Sequence, residues 1–121
     1  MKIARLDSRW CVLISGRVIH DCLVRLALQQ GYRVGAVCRE LGRSEPYLRE
    51  VFLRDLGLTP KDWMRWERMV VARQMLSWGI DPLEVSSALG FAHPNSFRRE
   101  FGSVHGVSPR RYQVERKLEA S

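Results

Sequence analysis

Apolar residues Val18, Ile19, Cys22, Leu23, Leu26 and Ala27 fall at i, i+1, i+4, i+5, i+8 and i+9, the stripe of a 3.6-residue period. The pattern predicts an amphipathic helix over residues 17–30, closed by Gly31. Val34, Val37, Cys38 and Leu41 mark a short second helix ending at Gly42, and Ser44 is an N-cap for a third in which Leu48, Val51 and Phe52 face inward. Pro46 sits in the first turn of that helix, where its missing N–H costs little. Thr59, Pro60 and Asp62 supply an N-cap, a first-position proline and an early acid for a fourth helix of about 19 residues, hence about 28 Å. Its apolar residues Trp63, Met64, Trp66, Met69, Val70, Ala72, Met75 and Leu76 cover more than half its circumference, as expected of a spine with neighbours on two sides.

Asp81, Pro82 and Glu84 repeat the capping grammar for a fifth helix. His93 and Pro94 open a sixth, with Phe97 and Phe101 inward, and Ser108 and Pro109 open a seventh. Residues 1–16 carry no clear period and read as an arm or short strand without assigned role, and no strand run is expected after residue 16. The fold class expected is therefore all-α, about seven helices, with two helix-turn-helix units joined by a long central helix. The divisions are an arm over 1–16, a first unit over 17–58, the connecting helix over 59–78 and a second unit over 79–121.

An internal repeat supports this division. Leu41 and Gly42 match Leu89 and Gly90 at an offset of 48. At an offset of 49, Leu48, Phe52, Gly57, Thr59, Pro60 and Trp63 match Phe97, Phe101, Gly106, Ser108, Pro109 and Tyr112. Each copy is a helix, a glycine turn and a second helix. Small residues, Cys38 and Ser86, occupy equivalent places where the second helix must lean on the first.

Charge narrows the function. The 121 residues carry 20 Lys plus Arg against 13 Asp plus Glu, a formal net charge of +7, and 17 of the cations are Arg. Guanidinium matches phosphate and base edges with a planar fork, so the excess favours a nucleic-acid partner. The first apolar run, Cys11 to Ile14, is too short for a signal sequence, and no stretch approaches a membrane span. The expected location is the cytosol, on the nucleoid, with no membrane partner. Three isolated cysteines and three scattered histidines make neither a disulfide framework nor a metal site. No nucleophile elbow, zinc-protease motif or phosphate-binding glycine loop is present, so no catalytic residue, cofactor or metal is expected and the protein is not read as an enzyme.

The run Gly90, Phe91, then Phe97, Arg98, Arg99, Glu100, Phe101, then Gly106 to Tyr112 resembles the C-terminal signature of the AraC/XylS family of bacterial transcription regulators. Arg68, Met69, Ala72 and Leu76 are similar to that family's connecting helix, and the resemblance covers residues 17–113 or so. It implies a seven-helix DNA-binding domain and, for a chain of this length, the small stand-alone regulators. It also implies base-contacting positions at Pro46, Arg49 and Glu50 in the third helix and at Pro94, Asn95, Arg98 and Arg99 in the sixth. Arg43, Ser44, Arg54, His93, Arg110 and Arg111 lie near helix ends, where phosphate contact is natural.

The two reading helices differ in electrostatics. Glu45 with Arg49, and Glu50 with Arg54, are i,i+4 pairs whose mutual neutralisation would explain them without DNA. Arg98 and Arg99 have no acid at i±4. Residues 91–121 carry six Lys plus Arg against three acids, whereas 33–60 carry five against four. The leading expectation is one molecule on double-stranded DNA, reading two successive major-groove segments that the spine spaces close to the 34 Å of one DNA turn or so. The alternative is a protein-interaction module of the same fold, docking on RNA polymerase or a sensor partner without specific DNA binding.

Overall fold

The computed structural model describes residues 1–120. The chain divides into two units, Met1–Arg65 and Trp66–Ser121. The first opens with β1 (Lys2–Leu6), β2 (Arg9–Ile14) and β3 (Arg17–His20), an antiparallel sheet in the order β1-β2-β3. Both connections are two-residue loops with positive φ at each position: 49° and 66° at Asp7 and Ser8, 51° and 76° at Ser15 and Gly16. This is the turn geometry that matches the twist of a hairpin. Val12 faces His20 while Leu13 faces Val18, so Ile19 is an extra residue bulged out of β3.

The sheet corrects two expectations. The fold is mostly helical but not all-α, and the helix expected over 17–30 is a strand followed by α1 (Leu23–Gln29). Val18, Ile19 and Cys22 fit a helical stripe by spacing, yet β-branched Val18 comes just after a tight turn and pairs with Leu13 of β2, with Ile19 bulged beside it. Helix geometry begins only where the Cys22 Sγ accepts from the Arg25 N–H at 3.4 Å. The sheet is also part of the first core. Ile3 pairs with Val12, and both are buried with Leu23, Leu26, Val37, Leu48 and Phe52.

The remaining helices follow the capping signals. In α2 (Val34–Leu41) Arg33 occupies the N-cap position and makes no side-chain cap bond. In α3 (Glu45–Leu56) the Ser44 hydroxyl accepts from Tyr47 N–H at 3.3 Å, and Gly57 closes the helix in the left-handed region. Cys38 of α2 is buried where α3 packs on that helix, and burial pushes its thiol pKa up. Within the first unit, Trp63 and Met64 of α4 (Pro60–Ser77) complete the core.

The second unit contains α5 (Pro82–Ala88), α6 (Pro94–His105) and α7 (Pro109–Glu119). Its core is Met69, Ala72 and Leu76 of α4 with Val85, Ser86, Leu89, Phe97 and Phe101. Phe97 and Phe101 meet edge to face with centroids 5.8 Å apart, and Phe101 meets Tyr112 in the same way. Trp66, expected inside, is 51% exposed. No helix among the described residues is long and apolar enough to cross a membrane.

Candidate nucleic-acid interface

In α6 the inward positions Phe97 and Phe101 fix which side is left outside. Pro94, Asn95, Arg98 and Arg99 share that outer face at i, i+1, i+4 and i+5, and all four are exposed. Proline at the first helical position and Gly106 at the C-terminal cap, with φ of 78°, bound the helix. The Arg98 Nη1 donates to Asn95 Oδ1 at 3.1 Å, which orients the guanidinium along the helix toward its N-terminal end. Among the described residues Arg99 has no ion-pair partner. The helix therefore presents two cationic forks and an amide from one rigid face, the donors that read guanine and adenine in a major groove.

In α3 the corresponding face carries Glu45, Pro46, Arg49 and Glu50, all exposed above buried Leu48, Val51 and Phe52. Among the described residues neither expected i,i+4 salt bridge is formed. Arg54 bonds its neighbour Asp55 at 2.9 and 3.0 Å and donates to the Met1 carbonyl at 2.6 Å. Asp55 in turn accepts the Ile3 N–H at 2.8 Å. This partly buried carboxylate, fixed by a strand, takes Arg54 away from Glu50, and the Arg54 bond holds its pKa below the ordinary carboxylate value. Arg49, expected to pair with Glu45, likewise has no ion-pair partner among the described residues.

A concave groove adjoins each face. In the first unit it is lined by Val34, Glu45, Pro46, Arg49, Pro60, Lys61 and Asp62, so its two cations face two acids; in the second it is lined by Pro82, Pro94, Arg98, Pro109 and Arg110, with no acid among the lining residues. Arg49 and Arg98, Pro60 and Pro109, and Lys61 and Arg110 are equivalent in the repeat. Each groove gathers the N-terminal ends of three helices, whose free N–H groups and dipoles favour anions.

Most of the other expected phosphate contacts have partners within the protein. Arg110 pairs with Asp81 at 3.5 Å, Arg111 with Glu115 at 3.0 Å, and Arg43 donates to Gly42 O at 3.1 Å. The Ser44 hydroxyl is occupied as an N-cap, and His93, at the N-cap position of α6, makes no cap bond through its side chain. The sequence resemblance includes Arg68 but assigns it no role; its Nε and Nη2 both donate to the carbonyl of Leu89. It holds the end of α5 beside α6.

Residues 37–115 match the helix-turn-helix domain family. LumQ of Photobacterium leiognathi, described as a probable transcriptional regulator, is 27% identical over 97 residues, covering 79% of this chain and 39% of that protein. The Msm operon regulatory protein of Streptococcus mutans is 26% identical over 84 residues, 69% of this chain and 30% of that protein. The chain thus spans less than half the length of these relatives. The C-terminal domain of AraT, a response regulator from Geobacillus stearothermophilus, aligns with a TM-score of 0.66 and 26% identity over 76% of this chain and 84% of that one. Fold and exposed arginine face together define a helix-turn-helix DNA-binding domain. The chain belongs to this family, in its AraC type, a class of transcription regulators rather than of enzymes.

Proposed function

We propose that the protein is a sequence-specific reader of double-stranded DNA that inserts α3 and α6 into two successive major-groove segments. The observation that carries this reading is the outer face of α6, where Asn95, Arg98 and Arg99 are exposed together and Asn95 steadies Arg98. Arg98 and Arg99 reach guanine O6 and N7, and Asn95 contributes the amide for an adjacent base, each good pair discriminating by about 1–3 kcal/mol. Pro94 at the start of α6 lets the backbone approach the groove edge without an unsatisfied N–H.

In α3, Arg49 reads a base in the same way and Glu50 accepts from a cytosine amine, with Pro46 in the place of closest approach. Phosphate contact falls to the helix N-termini around Ser44, His93 and Ser108, and to Arg43, Arg110 and Arg111 once phosphate competes with their surface ion pairs, which are worth about 1 kcal/mol or less. One molecule carries both reading helices, so one copy occupies one site, in the cell interior and on the nucleoid. RNA polymerase is the protein partner that a regulator of this kind would meet there.

Selection of bound sequences from random DNA, followed by gel-shift titration in rising salt, tests the proposal. A defined consensus and a steep log-log salt slope are expected. Binding that selects no sequence would contradict it.

A further inference from the structure

We infer that the tip of the β2–β3 hairpin is an additional DNA-contact element of the first unit, engaging the sugar-phosphate backbone beside the groove that α3 enters. The inference rests on the DNA-reading assignment of α3 and adds to it a surface outside the helix-turn-helix motif.

The register of the sheet places the tip. Lys2 pairs with Leu13, and Ile14 with Arg17, so the Ser15–Gly16 turn lies just beyond the start of β1. The start of β1 is anchored to α3. The Met1 nitrogen donates to Tyr47 Oη at 3.0 Å, and Arg54 donates to the Met1 carbonyl. Tyr47 belongs to the first turn of α3, next to Pro46 and one turn before Glu50. Asp55 in the last turn of α3 takes the Ile3 N–H and Tyr47 in its first turn takes the Met1 nitrogen, so β1 traced back from Ile3 runs along α3 toward its first turn, and the hairpin tip lies beyond Met1 on that side. The other turn, Asp7–Ser8, lies at the opposite end of the sheet, about 13 Å further along β1 at the ordinary strand rise.

Charge is sorted between these two ends. At the tip end Lys2 and Arg17 are exposed, and residues 12–18 contain no acid. Lys2 acts on Asp55, a carboxylate that already takes the Arg54 guanidinium and the Ile3 N–H. At the far end the cations have partners: Arg9 pairs with Asp21 at 3.7 Å, and Arg5 lies 5.9 Å from the Trp10 ring centre. The tip itself is built from Ser15 and Gly16, side chains small enough for a close approach to a phosphate.

The first unit also lacks what the hairpin would supply. Its helical part is nearly charge-balanced, Glu50 repels phosphate, and Arg54 is held by Asp55 and Met1. A reading helix needs backbone contacts to fix its register in the groove. Lys2 and Arg17, which the register sets on opposite faces of the sheet at its tip end, would supply these from either side of the turn.

The test is a salt titration of binding to the selected consensus, comparing the wild-type chain with Lys2→Ala/Arg17→Ala and with Arg5→Ala/Arg9→Ala, which removes the same charge from the far end. The tip variant is expected to lose on the order of tenfold in affinity and to have a slope shallower by about 0.9 for each phosphate lost, with the preferred sequence unchanged. The far-end variant should bind like wild type. Lys2→Arg/Arg17→Lys, which keeps both charges, should restore the slope and guards against a folding defect. An unchanged slope in the tip variant, equal losses from both ends, or failure of the charge-preserving variant to rescue would each overturn the hairpin contact while leaving the reading of α3 and α6 intact. Absence of sequence selection by the wild-type chain would remove the base-reading assignment itself, and the hairpin contact with it.

Discussion

Arg68 and Leu89 are joined by a forked hydrogen bond: Nε and Nη2 of the guanidinium donate to the Leu89 carbonyl at 3.0 and 2.6 Å. The same guanidinium lies 3.6 Å from the centre of the Phe91 ring. Leu89 is the C-cap of α5, so Arg68 satisfies a carbonyl that the helix itself leaves free and tethers the turn leading into α6. Charge-assisted bonds of this kind contribute about 1.5–3 kcal/mol. Arg68→Ala should destabilise the protein by about 2–3 kcal/mol, read as a lower denaturation midpoint. Lysine should restore only part of this, because its ammonium lacks the planar fork. A midpoint unchanged in both variants would contradict this role.

Gly35 lies within α2, where glycine costs helix stability. A Cβ there would meet Glu45 Oε1 at 3.4 Å and Arg39 Nη1 at 3.6 Å, both at the ends of flexible side chains. Gly35→Ala is expected to stabilise the protein by about 0.5–1 kcal/mol, measured by thermal unfolding. A loss of stability would show that Glu45 cannot yield.

Asp55 makes stability depend on acid. Its carboxylate accepts from Arg54 and from Ile3 N–H, and its folded-state pKa lies below the ordinary value, chiefly through the Arg54 bond. Its contribution is therefore complete above the unfolded carboxylate pKa of about 3.9 and is lost as pH falls through the lower folded value. Asp55→Asn should cost about 1–2 kcal/mol at neutral pH, and the gap to wild type should close on acidification below about pH 4. Denaturation curves across pH check this, and a gap that persists in acid would count against it.

How far the sequence discloses this architecture depends on the range of the interactions. Caps at Ser44, Thr59, Asp81 and Ser108 are local, and the helices start where these residues place them. The sheet is less visible, because Val18 and Cys22 are spaced as on a helix. The contrary signal is the pair of turn dipeptides, Asp7–Ser8 and Ser15–Gly16, the second set between β-branched Ile14 and Val18. Trp66 falls between Trp63 and Met64, which serve the first core, and Met69 and Ala72, which serve the second, so neither core takes it.

The reading faces show the same division. The outer face of α6 follows from the inward spacing of Phe97 and Phe101 alone. On α3, local spacing pairs Glu50 with Arg54, but the partner chosen is Asp55, whose side chain is 11% exposed and held by Ile3, 52 residues away in sequence. Asp55 is the next residue in the chain, but no local rule reveals that a strand 52 residues away fixes its carboxylate in reach of Arg54.

Arg98→Ala should relax selection at one base pair and weaken specific binding by about 1–3 kcal/mol, leaving non-specific affinity and overall stability nearly unchanged. Asn95→Ala should relax selection at the adjacent base pair and also weaken the Arg98 contact, because it frees the Arg98 guanidinium as well as removing the amide. Site selection with each variant checks both, and an unaltered consensus for Arg98→Ala would contradict its role.

The claim that one chain reads two major-groove segments is tested most directly by guanine-methylation interference on the selected consensus with wild-type protein. Two patches of interference centred about one helical turn apart, near 10 base pairs or so, are expected, with one weakened by Arg98→Ala and the other by Arg49→Ala. A single patch, or two patches that respond to neither substitution, would contradict the account.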